Sequence, residues 1–174
     1  MNSLLIETER IRVRDFAMED ADDLFAILGD GETMAASEPA YDFEKTIQFL
    51  QRFCIERRGA LAAQQKESGK VIGYILFHEV HEDVYEMGWF FNRSYWRQGY
   101  AYESCKAVLT YAFHEKHAHK VFAETIDPVK SAGLMKKLGM RLEGIQREQV
   151  KDASENWADL FFYGILSTQW YDQQ

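Results

Sequence analysis

Apolar positions along the chain change period several times, and each change marks an element. Ile11 and Val13 alternate with Arg10, Arg12 and Arg14, the two-residue period of a strand with one buried face. Ala17, Met18, Ala21, Leu24, Phe25 and Leu28 then recur at helical spacing. Glu19, Asp20, Asp22 and Asp23 crowd the start of that helix, where its dipole favours negative charge. Gly29-Asp30-Gly31 breaks it. Phe43, Ile47, Leu50 and Cys54 mark a second helix, with Phe49 and Phe53 widening its apolar face. Leu61 to Gln65 and Val71 to Phe77 read as strands, joined by the polar loop Lys66 to Lys70. His81-Glu82-Asp83 makes the next turn, and Tyr85 to Phe91 is an aromatic-rich third strand.

After Gly99 the period turns helical again, with Ala101, Cys105, Val108, Leu109, Ala112 and Phe113 on one face. Lys120 to Ile126 is a strand, with Val121, Ala123 and Thr125 on one side. A short helix from Ser131 to Leu138 stops at Gly139. Arg141 to Val150 and Trp157 to Leu166 are the final strands. The predicted order is β-α-α-β-β-β-α-β-α-β-β, an α/β fold with a mixed sheet covered by helices. The unit Tyr85 to Ile126 needs a right-handed crossover if its two strands run parallel.

At 174 residues, with prolines only at 39 and 128 and no repeat, the chain reads as one domain spanning 1–174. Hydrophobic residues are 47%, which excludes a disordered chain. The net charge of −8 argues against a nucleic-acid partner and is compatible with a cationic substrate. Cys54 and Cys105 fall at apolar positions of helices, as small buried residues of a reducing, cytoplasmic setting. No leader pattern or membrane-length apolar run is expected. His114, His117 and His119 cluster at a helix end without a supporting carboxylate pair, so no metal site is predicted.

The informative segment is Trp96-Arg97-Gln98-Gly99-Tyr100-Ala101, which joins a strand to an amphipathic helix. Gly99 can take backbone angles closed to other residues, and small Ala101 permits close approach. Such a loop aims N–H groups and a helix dipole at one point, an anion site suited to a pyrophosphate, with Arg97 adding charge. The competing reading is a plain strand-to-helix turn. No Gly-Lys-Ser/Thr follows, and two of the three dinucleotide-motif glycines are missing.

Tyr85-Glu86-Met87-Gly88-Trp89-Phe90-Phe91, the loop at Tyr95 to Ala101, Leu138-Gly139-Met140 before Glu143-Gly144, and Asn156-Trp157-Ala158-Asp159 together resemble the GNAT superfamily of N-acetyltransferases. Within it they are most similar to the RimJ/RimL-like branch, which acetylates N-terminal amines of ribosomal proteins. The resemblance runs over essentially the whole chain from Leu5. It implies a mostly antiparallel mixed sheet with a central parallel strand pair and helices on both faces. It also implies acetyl-CoA as co-substrate. The strand Met87 to Phe91, including Trp89 and Phe90, would pair its backbone with the pantetheine arm. Trp96, Arg97, Gln98, Gly99, Tyr100, Ala101 and Tyr102 would hold the pyrophosphate. Trp96 stands where the family usually has Gln or Arg. The family's Asn-x-x-Ser motif is Pro128-Val129-Lys130-Ser131 here, preceded by Asp127. The serine is kept, and Asp127 stands beside the lost amide.

The implied chemistry needs a neutral amine, an oxyanion stabiliser and a proton for the leaving thiolate. Only about one lysine amine in 2,500 is neutral at pH 7, against roughly one α-amine in seven, so an N-terminal acceptor demands less of a base. Glu86, on the strand face opposite Met87 and Trp89, is the candidate base. Glu148 and Asp159 are weaker candidates, and the branch's own base position falls on Val150. Ser131 is either the proton donor or the N-cap of its helix. Tyr163 is a further donor candidate that reads more naturally as core. Glu32, Glu38 and Asp42 lie in the expected acceptor wall and favour a cation. The acceptor is a protein N-terminus or a small amine such as a polyamine, amino acid or antibiotic. A non-catalytic acyl-CoA-binding module is the other reading. Trp170 and Tyr171, read as exposed aromatics, would mark a homodimer contact.

Overall fold

Residues 3–173 are described in a computed structural model of the chain. Eight strands form one sheet: β1 (Leu5–Glu7), β2 (Ile11–Asp15), β3 (Ala60–Gln65), β4 (Val71–His81), β5 (Val84–Phe91), β6 (Lys120–Thr125), β7 (Arg141–Lys151) and β8 (Trp157–Leu166). Their order across the sheet is β1-β2-β3-β4-β5-β6-β8-β7. Among the described residues, β5 and β6 alone pair in parallel. The helices are α1 (Ala21–Leu28), α2 (Gly31–Met34), α3 (Phe43–Phe49), α4 (Tyr100–His114), α5 (Lys130–Lys137) and α6 (Ser167–Tyr171). The mixed, mostly antiparallel sheet with helices around it is the fold expected from the sequence.

Each face of the sheet carries its own core. On one, Ile11, Val13, Ile75, Met87 and Val121 meet Cys105, Val108, Leu109 and Phe113 of α4. On the other, Ala60, Ala62, Val71 and Tyr74 meet Leu24, Ile27 and Leu28 of α1, and Leu50 and Cys54. Coverage on both faces explains why β3 is apolar at successive positions rather than at alternate ones.

Several boundaries differ from the sequence expectation. β4 runs on to His81, because His78, Glu79 and His81 keep pairing with Glu86, Tyr85 and Val84. The second predicted helix is α-helical only to Phe49; Leu50–Glu56 is a π-helix. The break at Gly29 stands, and Asp30 then caps α2 by accepting from the Thr33 N–H at 3.0 Å. Two short elements, β1 and α6, carry too few residues for a period to show. α6 corrects one reading. Trp170 is 4% exposed and stacks on Phe113 with centroids 5.4 Å apart, so it is core rather than a surface aromatic. Tyr171 is exposed, and its hydroxyl donates to the Phe113 carbonyl at 2.9 Å. No described helix is long and apolar enough to cross a membrane.

Candidate functional site

The loop between β5 and α4 borders a cavity of about 380 Å³. Of the residues singled out in the sequence, Phe91, Trp96, Arg97, Gly99, Tyr100, Ala101 and Tyr102 line it. Arg97 and Gly99 both have positive φ, +60° and +84°, and Gly99 stands directly before the first turn of α4. The Trp96 indole donates to the Phe91 carbonyl at 2.7 Å, fastening the loop to the end of β5. From α5, Lys130 and Lys137 line the opposite wall; their ammonium groups lie 5.8 Å from the Trp96 ring and 4.5 Å from the Tyr102 ring. The result is an aromatic-walled cavity with cations at Arg97, Lys130 and Lys137 beside the N-terminal turn of α4, a setting suited to a polyphosphate. The two lysines were not singled out in the sequence, because only the packing of α5 beside α4 brings them to the loop.

Three other residues singled out here, Gln98, Phe90 and Trp89, stay out of the cavity wall. The Gln98 carbonyl accepts from Arg10 Nη1 at 2.9 Å, while its side chain donates to the Ser94 carbonyl. Phe90 lies on the other face of the sheet, its ring 6.1 Å from that of Tyr74. Trp89 packs against the α4-side core.

Arg10 is the brace of the loop. Its Nε donates to Glu103 Oε2 at 2.7 Å, and its guanidinium lies 4.2 Å above the Tyr100 ring. Glu103 Oε1 also accepts from the Thr8 hydroxyl and the Arg10 N–H. Burial pushes the Glu103 carboxyl up, but these hydrogen bonds outweigh it and hold the group below the usual carboxylate range.

β5 and β6 pair only at Val84↔Lys120, Tyr85↔Val121 and Glu86↔Phe122. From Met87 to Phe91 the β5 backbone is paired with β4 alone. Glu86 therefore stands where the two parallel strands part. Its Oε2 is 3.1 Å from Nε2 of His78, its cross-strand partner on β4. The register that sets Glu86 beside Phe122 also brings Glu124, two residues on, to the same face of the sheet. Burial first, and the Glu86 charge second, push the Glu124 carboxyl above its ordinary value. His78 and Glu124 were missed in the sequence. Nothing local shows which strands pair or in what register, although the period-2 alternation of Val121, Ala123 and Thr125 already put Glu124 on the opposite side.

Ser131 is half-buried within α5, one residue past its first. It is not the cap. Asp127 Oδ1 accepts from the N–H groups of Val129 and Lys130 at 2.9 and 3.0 Å, so the aspartate starts the helix. Tyr163 is buried, as its core reading expected. The Asp159 carboxylate accepts from the Glu148 N–H at 2.8 Å, which ties up the irregular part of β7. Among the described residues, no group of three or more His, Cys, Asp or Glu side chains is arranged to hold a metal ion. His114 lies against Trp170 and Tyr171 instead.

Residues 10–141 match the family described as "Acetyltransferase (GNAT) domain". The chain is 31% identical over 169 residues to a Bacillus subtilis protein named uncharacterized N-acetyltransferase YnaD, covering 95% of this chain and 98% of that one. A solved acetyltransferase (GNAT family) from Bacillus anthracis superposes with a TM-score of 0.87 at 29% identity, covering 95% of this chain and 99% of that one. A ribosomal-protein-S5-alanine acetyltransferase from Vibrio fischeri shares the fold, with a TM-score of 0.80 at 17% identity over 96% of this chain and 98% of that one. The braced loop, the parting strands and these relatives agree: the chain belongs to the GNAT family and is an acetyltransferase.

Proposed function

We propose that the protein moves an acetyl group from acetyl-CoA to a primary amine by direct attack in a ternary complex, with Glu86 as the base and Ser131 as the proton donor. GNAT acetyltransferases use acetyl-CoA, and the cavity at Gly99 fits its charged end. The N–H groups at the start of α4, with Arg97, Lys130 and Lys137, suit a pyrophosphate. The unpaired edge from Met87 to Phe91 suits an extended arm bearing amides, which can add to a strand edge. Trp89 and Phe90 serve there through their backbone, and Asp127 serves by fixing the start of α5 near Ser131. The amine nitrogen attacks the thioester carbonyl carbon, the C–S bond breaks, Glu86 takes the amine proton and later releases it to solvent, and the thiolate is protonated through the Ser131 hydroxyl, which regains a proton from solvent. An amide and free CoA thiol result.

The observation that carries this reading is the position of Glu86 where β5 and β6 separate, held by His78. An α-amine acceptor, as in the RimJ/RimL-like branch, is favoured because far more of it is neutral at pH 7 than of a lysine amine. Two free, buried cysteines agree with a reducing, cytoplasmic setting. The test follows CoA thiol release with peptides, amino acids, polyamines and aminoglycosides as acceptors. Glu86→Gln should lower kcat by about 10²–10⁴-fold while the thermal shift with acetyl-CoA persists. No thiol release with any amine, or a Glu86→Gln variant with parent kcat, overturns the assignment.

A further inference from the structure

A second groove, of about 280 Å³, lies on the α3 side of the sheet and is walled by Tyr41, Lys45, Phe49, Arg52, Phe53 and Arg57. Side-chain contacts link its wall to Glu86. The Phe49 and Phe53 rings stack at 5.2 Å, Phe53 meets the His78 ring edge-on at 6.3 Å, and His78 holds Glu86 at 3.1 Å. Gly59 makes this possible, since a Cβ there would stand 2.5 Å from the Phe53 ring.

The charge of this wall is the reverse of what the sequence led us to expect. The acids thought to attract a cation are all engaged. Glu32 pairs with Arg93. Glu38 accepts from the Tyr41 hydroxyl at 2.6 Å and from Lys45 at 3.3 Å. Asp42 caps α3 by accepting from the Lys45 N–H at 2.7 Å. Arg52 and Arg57 are left with no side-chain hydrogen bond or ion pair among the described residues, in a chain of net charge −8. The π-helix aligns them. In an α-helix, residues five apart point about 140° away from each other. Here the Arg57 N–H donates to the Arg52 carbonyl, five residues back, at 3.3 Å, so both side chains reach the same groove.

We infer that this groove takes the acceptor, and that Arg52 and Arg57 select a peptide N-terminus carrying a carboxylate two to three residues behind the reacting amine. This rests on the reading of Glu86 as the base. The path from Glu86 toward the arginines crosses 3.1 Å to His78 and 6.3 Å between the His78 and Phe53 ring centroids before it reaches them, more than the one-residue reach of a free α-amino acid's carboxylate. The apolar stack of Phe49 and Phe53 lines the interval, and the guanidinium pair offers bidentate bonds to the acid.

The test compares tetrapeptides with glutamate, glutamine or lysine at the third position, and free glutamate. The acidic peptide should show kcat/KM at least about tenfold above the glutamine peptide, the lysine peptide should be poorest, and free glutamate should gain nothing. The double variant Arg52→Gln/Arg57→Gln, checked by thermal melt to be folded, should cut the tenfold ratio to about twofold, as should high salt. Equal kcat/KM for the three peptides, or a ratio unchanged in the double variant, overturns the proposal while leaving acetyl transfer standing. Calorimetric titration of the same peptides onto protein saturated with CoA, which carries no acetyl group to transfer, reads the preference without turnover. If no amine is acetylated yet the acidic peptide still binds tenfold tighter, Glu86 fails as the base and the groove places no reacting amine, while the selection of an acidic peptide by Arg52 and Arg57 stands; equal binding overturns that selection too.

Discussion

Arg10 and Glu103 are 93 positions apart and meet at 2.7 Å, joining the β1–β2 hairpin to the first turn of α4. The same guanidinium holds the Gln98 carbonyl and covers Tyr100, so one side chain from the first hairpin sets the shape of the glycine loop. Arg10→Ala should raise the KM for acetyl-CoA about tenfold, about 1.4 kcal/mol, with a much smaller change in kcat. Arg10→Lys should recover only part of this, because an ammonium cannot hold two acceptors in a fixed fork and cover the Tyr100 ring at once. Steady-state kinetics with acetyl-CoA varied checks both.

Glu103 gives this brace a pH dependence. Its carboxyl is held below the ordinary glutamate value, so its stabilisation is present above the unfolded value of about 4.3 and disappears as pH falls through the lower folded value. Glu103→Gln should melt below the parent at pH 6, and the gap should close as pH falls below about 4. Melts at matched ionic strength across that range test the sign.

Gly99→Ala strains a backbone at φ +84° and sets a Cβ 3.3 Å from the Arg10 guanidinium. A left-handed alanine costs about 1–2 kcal/mol, and the brace must give as well. The melting temperature should drop by a few degrees, and the thermal shift produced by acetyl-CoA should shrink by more than stability alone explains.

Glu124 carries the opposite sign to Glu103. Its carboxyl is raised, first by burial and then by the Glu86 charge, so its ionisation opposes folding as pH rises through the folded value. Glu124→Gln should therefore melt slightly above the parent at pH 8 and no higher at pH 4. A variant less stable at pH 8 would show that Glu124 is held by favourable contacts instead.

Cys54 and Cys105 should be inert thiols. Burial pushes Cys54 up to about 12 and Cys105 higher still, so neither forms thiolate at neutral pH. Native protein should leave a thiol reagent unreacted over hours at pH 7.5, and denatured protein should titrate two equivalents.

The strands and the long helix were legible because alternation and the 3.6-residue period are properties of neighbouring residues. β2, β3, β5 and α4 appear close to where the pattern put them. The loop at Gly99 was legible for the same local reason, since a glycine between a strand and an amphipathic helix has few other uses. The π-helix was not. Phe49, Leu50, Phe53 and Cys54 satisfy an α-helical face just as well, so the wider turn of the π-helix leaves no separate mark on the pattern.

Periodicity along the chain determined the mixed α/β fold and which face of β5 carries Glu86, because side-chain direction follows from backbone period alone. Three matters were decided only by tertiary structure: which residues accompany Glu86, what braces the loop, and the sign of the charge beside it. His78 reached Glu86 through the β4–β5 register, and Glu124 reached it through the parallel β5–β6 register. Arg10 reached Glu103 through the placement of the first hairpin against α4. The free charge in the second groove depended on which ions found partners. Composition counts charges, but pairing is a matter of distance, and it left Arg52 and Arg57 facing that groove while the acids around them were already held.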